Sequence, residues 1–238
     1  MSHDPAGNGI TGAGESRPSM PSLTLQGSRS QVVADAVREA ILSGRLVPGQ
    51  ALVERELSQM FGVSKTPVRE ALIGLVGSGL VDQSQFRGMT VRAVTPELVR
   101  SVYETRGLME PAAVALASER ADEALVREVS ELLERAASLG ERGDQVELQL
   151  VNREFHRRLY LPCGNLLLCR YLDGLQDLVA LISMAGWSKR TTWEKEYREH
   201  RLILDAFARR DADSVKVLAH EHMSEFADQV LEGLLAEE

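Results

Sequence analysis

Three histidines sit at helical spacings that would turn their imidazoles toward one interior. Tyr197, His200, Leu204 and Phe207 share one stripe of a helical pattern, and Val215, Leu218, His222 and Phe226 share another. His156 follows Asn152 by four positions and lies beside the Phe155/Leu159 seam. An imidazole taken out of water needs a hydrogen-bond partner or a metal ion. Three of them can face one interior, with Asn152 supporting the first, and a divalent metal would be an effective partner for them. The same spacings also fit three core histidines bonded to neighbours, since spacing alone does not make three helices converge. His220 falls with Lys216 and Ser224 on the opposite, wetter side. Cys163 and Cys169 are six positions apart, match no zinc or redox spacing, and read as reduced thiols.

A second chemistry lies in VERELSQMFGVSKTPVREAL, residues 53–72. Two apolar helical patterns flank FGVS, where Gly62 suits a tight turn and Ser64 suits a helix N-cap. Pro67 falls in the first turn of the second helix, where its missing N–H costs little. Val68, Ala71, Leu72 and Leu75 form the buried stripe of that helix. Lys65 and Arg69 share the opposite face, four residues apart. A helix entering the major groove offers its N-terminal side chains to base edges, and here those are Ser64, Lys65, Thr66 and Arg69. Arg55 opens the preceding helix. Arg87 and Gly88 mark the tip of a predicted hairpin, where a missing side chain permits close approach.

The elements that must carry these residues follow from periodicity. An apolar stripe of Val32, Val33, Ala36, Val37, Ala40 and Ile41 predicts a helix from Ser28 to Gly44, followed by the turn RLVPGQ. A short helix over 53–60, the turn, the helix after Ser64 and two strands around 86–88 complete the order of a winged helix-turn-helix over residues 27–94. Thr95 and Pro96 open the next segment as cap and first helical residue. About six helices are expected there, near 96–120, 122–141, 144–161, 165–186, 192–210 and 212–235. TTWE at 191–194 has capping-box spacing, and Asp211 can cap the last helix. Residues 1–26 are rich in Gly, Pro and Ser and read as a disordered tail. The fold class is therefore mainly α: an N-terminal winged helix-turn-helix and an all-α helical bundle over 95–238.

Charge divides at the same place. Residues 27–94 carry eight Lys and Arg against six Asp and Glu, whereas residues 95–238 carry 18 against 27, within a chain of net charge -8. A polyanion can approach the first segment and is repelled by the second. No apolar run is long enough to span a bilayer, and residues at the N-terminus lack the pattern of a secretory signal. A cytoplasmic protein without a membrane partner is expected.

PGQALVERELSQMFGVSKTPVREALIGLVGSGLV, with FRGMTV after it, resembles the N-terminal domain of the GntR family of bacterial transcription regulators. VYETRGLMEPAAVALA, NREFHRRLYLPCGN and EHRLILDAFARRDADSVKVLAHEHM resemble the FCD ligand-binding domain of its FadR-type branch. The first resemblance implies that Arg55, Ser64, Lys65, Thr66, Arg69, Arg87 and Gly88 contact DNA. Lys65 departs from the Arg many members carry and lacks its bidentate fork. The second implies a divalent metal, zinc or nickel, on Asn152, His156, His200 and His222. Asn152 stands where many members have Asp, and a neutral amide is the weaker ligand. It also implies a small carboxylate effector held by Arg106. The residues themselves equally allow Arg106 an ordinary ion pair with Glu110.

The reading that follows is a ligand-responsive transcription regulator, a repressor, which binds a palindromic operator in double-stranded DNA as a homodimer and is not an enzyme. Arg157 and Arg158 read as surface cations, and Met184 and Trp187 as core or interface residues. One rival is a metal-dependent hydrolase with a DNA-tethering module. Against it, no inward Glu or Asp stands at a general-base spacing from a histidine, since Glu154 and Glu199 only adjoin the ligands in sequence. Another is an architectural DNA-binding protein without effector, which would not require the large acidic helical segment.

Overall fold

The computed structural model describes residues 28–84, 88–187 and 193–236. The expected tail, Arg87 and the start of the TTWE box lie outside the described residues. Helix α1 (Arg29–Leu42) is capped by Ser28, whose hydroxyl accepts from the Gln31 N–H. Its buried stripe is Val33, Ala34, Val37 and Ile41. Val32, expected in that stripe, is 68% exposed; the helix is rotated by about one residue and Ala34 takes its place. Helix α2 (Glu54–Phe61) ends at Gly62, whose φ of 64° is the left-handed conformation that favours glycine there. Helix α3 (Lys65–Gly77) buries Val68, Ala71, Leu72 and Leu75, as the pattern predicts. Ser64 occupies its N-cap position in extended backbone but makes no side-chain cap bond.

Strands β1 (Val81–Ser84) and β2 (Gly88–Val91) pair antiparallel, with Val81 opposite Val91 and Ser84 opposite Gly88. The stretch read as a turn after α1 also pairs with β2: Gly49 and Leu52 donate to the Val91 and Met89 carbonyls at 2.9 and 2.8 Å. Leu52, Leu57, Leu80, Val81 and Val91 join the helical stripes in one apolar core.

Among the described residues, six α-helices follow: α4 (Pro96–Ser118), α5 (Glu123–Arg142), α6 (Gln145–Tyr160), α7 (Leu166–Trp187), α8 (Trp193–Ala208) and α9 (Ala212–Leu235). Thr95, Asp122, Asp144 and Asp211 cap α4, α5, α6 and α9, each accepting from an N–H three residues on. The helix bounds fall within two residues of the predicted ones. A 3-10 turn (Leu161–Cys163) joins α6 to α7. Two apolar cores fill the bundle. One is built on Phe155, Leu159, Tyr160 and Phe207, the other on Val99, Tyr103, Ile182 and Phe226.

Helix α7 belongs to both parts of the chain. Ile182 lies in the bundle, but its neighbour Leu181 is fully buried in the core of the winged head, and Met184 packs against that core. Leu178 lies against Gly79, so closely that a Cβ there would meet its side chain at 3.1 Å. Arg38 of α1 donates from Nε to Asp177 of α7 at 2.9 Å. Among the described residues, no helix is long and apolar enough to cross a membrane.

Candidate functional site

On the head, Ser64, Lys65, Thr66 and Arg69 are all exposed at the N-terminal end of α3, as are Arg55 on α2 and Gly88 at the start of β2. The turn at Gly62 and the buried stripe of α3 leave this face outward. Arg69 is engaged: Nε and Nη2 donate to the two carboxylate oxygens of Glu54, at the start of α2, at 2.8 and 2.9 Å. That pair was not read from the sequence, where the two residues lie 15 positions apart. Their arrangement follows from how α2 crosses α3.

In the bundle, helices α6, α8 and α9 bring His156, His200 and His222 together. All three are buried, with one ring nitrogen of each within 4.8 Å of the others. His200 and His222 face each other Nε2 to Nε2 at 3.1 Å. The phenyl ring of Phe155 packs on His200, their centroids 4.5 Å apart. Asn152, half-buried one turn before His156, borders the cavity that His156 and His222 line and a second one beside His200. His220 is exposed beside Gly107.

Two carboxylates set the tautomers. Glu110 of α4 meets His156 Nδ1 at 2.8 Å, and Glu199 of α8 meets His222 Nδ1 at 2.7 Å. Burial alone would raise the Glu110 carboxyl, but Arg106 and His156 hold it at about 2. Burial likewise raises Glu199, while His222 and Lys195 pull it below its usual range. Both groups are therefore ionised and accept only, so each facing Nδ1 must carry the proton. Burial pushes His156 down to about 4 despite Glu110, and pushes His200 well below its ordinary value, with His222 and His156 adding to the effect. In the neutral ring a protonated Nδ1 leaves Nε2 with a bare lone pair, the form that binds a metal. The donor set thus fits a divalent cation.

The expectation for Glu199 needs correcting. It does turn away from its sequence neighbour His200, yet it reaches the imidazole of another helix. Carboxylates therefore do contact two of the histidines, both at Nδ1, and for His222 this is the nitrogen opposite the Nε2 that faces His200. Sequence spacing carries no signal for either contact, because each crosses between helices.

Arg106 is buried and does form the ion pair with Glu110, Nε and Nη2 lying 2.9 and 2.7 Å from Oε2. It also lines the cavity next to the histidines, with Arg153, Gln149, Gln176, Ser183, Glu196 and Phe226. That cavity measures about 20 Å³, room for one water-sized group. Arg153 stands 3.8 Å from Asp177, the residue that Arg38 holds from the head. Arg157 and Arg158 pair with Asp173 and Glu154 near the surface. The thiols of Cys163 and Cys169 are free, buried and 3.5 Å apart.

Comparison with known proteins follows this division. A family model described as bacterial regulatory proteins, gntR family, matches residues 29–91. One described as the FCD domain matches residues 101–225. The chain is 32% identical over 154 residues to the HTH-type transcriptional regulator McbR of Escherichia coli, covering 65% of this chain and 67% of McbR. Identity to an uncharacterized HTH-type transcriptional regulator, YdhC of Bacillus subtilis, is 29% over 82% of this chain and 89% of YdhC. The HTH-type transcriptional repressor RspR of Escherichia coli is 26% identical over 84% of this chain and 88% of RspR. The solved structure of McbR superposes with a TM-score of 0.76 at 25% identity, covering 87% of this chain and 99% of that one.

Proposed function

The chain belongs to the GntR family of bacterial regulatory proteins and carries an FCD domain, and from that premise we propose that it is a ligand-responsive repressor of the FadR-type branch. It is a DNA-binding transcription regulator and not an enzyme; the hydrolase reading has no support among its relatives. The head over 27–94 binds a palindromic operator in double-stranded DNA, and the bundle over 95–238 holds the effector. The observation that carries this reading is the outward row of Ser64, Lys65, Thr66 and Arg69 on a helix locked from behind by its apolar stripe. Arg55, Arg87 and Gly88 complete the DNA contacts. Repression is favoured by the name of RspR. The protein acts in the cytoplasm, where its operator is.

One α3 reads one half-site, so a palindrome calls for a homodimer. Leu108 on α4 is 81% exposed, at the rim of an α4/α9 groove that Met223, Ala227 and Leu231 also line. That groove offers the apolar surface a second copy would cover.

His156, His200 and His222, with the Asn152 amide oxygen, hold a divalent ion, zinc or nickel. When bound, the ion supplies a Lewis-acidic position for the carboxylate of a small effector. Arg106 is committed to Glu110, so Arg153, which stands 3.8 Å from its own carboxylate, is the freer partner for an anion. The cavity is too small for an organic acid unless its lining moves. Part of that lining is α7, through Gln176, Ala180 and Ser183, and α7 also carries Leu181 and Asp177 against the head. Effector entry is thereby coupled to the setting of the head, to no greater extent than its differential affinity for the two arrangements.

The experiment is a gel shift with duplex from the region upstream of the chain's own gene, with and without added small carboxylates. A shift that the carboxylate reverses supports the reading. Absence of any shift across the tested duplexes rejects it.

A further inference from the structure

We propose that Glu54 is a positioning residue that sets the base preference of the reading helix by holding Arg69 ready for guanine. The proposal rests on the DNA-binding reading above. A guanidinium has five N–H donors arranged along distinct edges. Glu54 takes the Nε and Nη2 donors with its two oxygens, at 2.8 and 2.9 Å. This occupies the inner edge of Arg69 and leaves both Nη1 donors and the second Nη2 donor. Arg69 is 64% exposed and Glu54 25%, so the clamped edge lies against α2 and the outer edge is left to solvent.

That outer edge is a two-donor fork. In the major groove, guanine alone presents two adjacent acceptors, N7 and O6; adenine presents an acceptor beside a donor. A free arginine would have to order several torsions on docking and would serve phosphates equally well. An arginine already fixed by a carboxylate is spared part of that ordering and keeps one direction for its remaining donors. The carboxylate also discourages wrong placement, because it would lie close to phosphate wherever Arg69 found no base to engage. Lys65 adds positive potential at Glu54, so the charge is tolerated at this face. Glu54 thus exchanges non-specific attraction for selectivity.

The test enriches bound duplexes from a randomised pool with the full-length chain and reads their sequences. Parent protein is expected to select guanine at one position per half-site, by about 5- to 150-fold over other bases, as a bidentate pair allows. Arg69→Lys is expected to lose that selection. Glu54→Gln is expected to keep its melting temperature, to bind unselected duplex at least as tightly as parent, and to cut the guanine preference below about threefold. Glu54→Asp, which retains the charge, should recover part of it. Unchanged selection in Glu54→Gln, or equal weakening on every sequence, would overturn the proposal while leaving the DNA-binding reading intact. A parent that enriches no sequence overturns both.

Discussion

His200 and His222 approach Nε2 to Nε2 at 3.1 Å from two different helices, and the far nitrogen of His222 is held by Glu199. With that far nitrogen protonated, a proton from His200 or a shared cation must lie between the facing pair. His156 turns its own ring toward the same point. Elemental analysis of protein purified without chelator is expected to give about one zinc or nickel per chain. Saturating metal at a hundredfold over its dissociation constant should stabilise by about 2.7 kcal/mol, read as a rise of roughly 5–10 °C in melting temperature. His200→Ala should remove both, and Asn152→Asp should tighten binding. A parent free of metal and unchanged by added zinc or nickel contradicts the site.

Glu110 is the hub of the buried polar network, shared between Arg106 and His156. Glu110→Ala leaves a buried guanidinium without its counter-charge, which costs about 3–5 kcal/mol and should be plain in a denaturant melt. Glu199→Gln offers the contrast, since Glu199 is itself partly exposed and its second partner, Lys195, lies at the surface. It is expected to change stability little while weakening metal affinity by about 10- to 100-fold. Equal stability losses in the two variants would contradict this division of roles.

Much of this was legible in the sequence, and the reason differs by element. The helices of the bundle were, because the caps at Thr95 and Asp211 and a 3.6-residue apolar period are local; Asp122 and Asp144, which cap α5 and α6, went unread. The buried face of α3 was, for the same reason. The stripe of α1 came out one residue off, because Val32 and Ala34 both fit a helical stripe and only packing against the rest of the head decides between them. The inward turn of His156, His200 and His222 was visible as periodicity, but their convergence depends on how α6, α8 and α9 cross. The contacts Glu54–Arg69, Glu110–His156, Glu199–His222 and Arg38–Asp177 each join separate elements. No spacing rule reaches them.

Helix α7 touches both the head and the cavity, and in the proposed reading it carries the coupling. Asp177→Asn weakens its hold on Arg38, and Leu181→Ala opens a cavity in the head's core at a cost of about 2–5 kcal/mol. With zinc or nickel as the probe, fluorescence anisotropy of labelled operator should register a metal-dependent change in affinity for the parent. The change should shrink in Asp177→Asn, while metal binding itself stays within a few-fold. A metal effect of the same size in parent and variant would show that α7 does not carry the coupling.

The outward cations of α3 carry the central claim, that this face of the head grips duplex DNA. The direct measurement is affinity for a labelled upstream duplex across a salt series, for parent, Lys65→Ala and Arg69→Ala. Parent binding should weaken linearly in log–log form with added salt. Lys65→Ala should lower that slope by about 0.9 for each phosphate that the ammonium group neutralises, and Arg69→Ala should weaken binding by about tenfold or more. Variants that match the parent in both affinity and slope would contradict it.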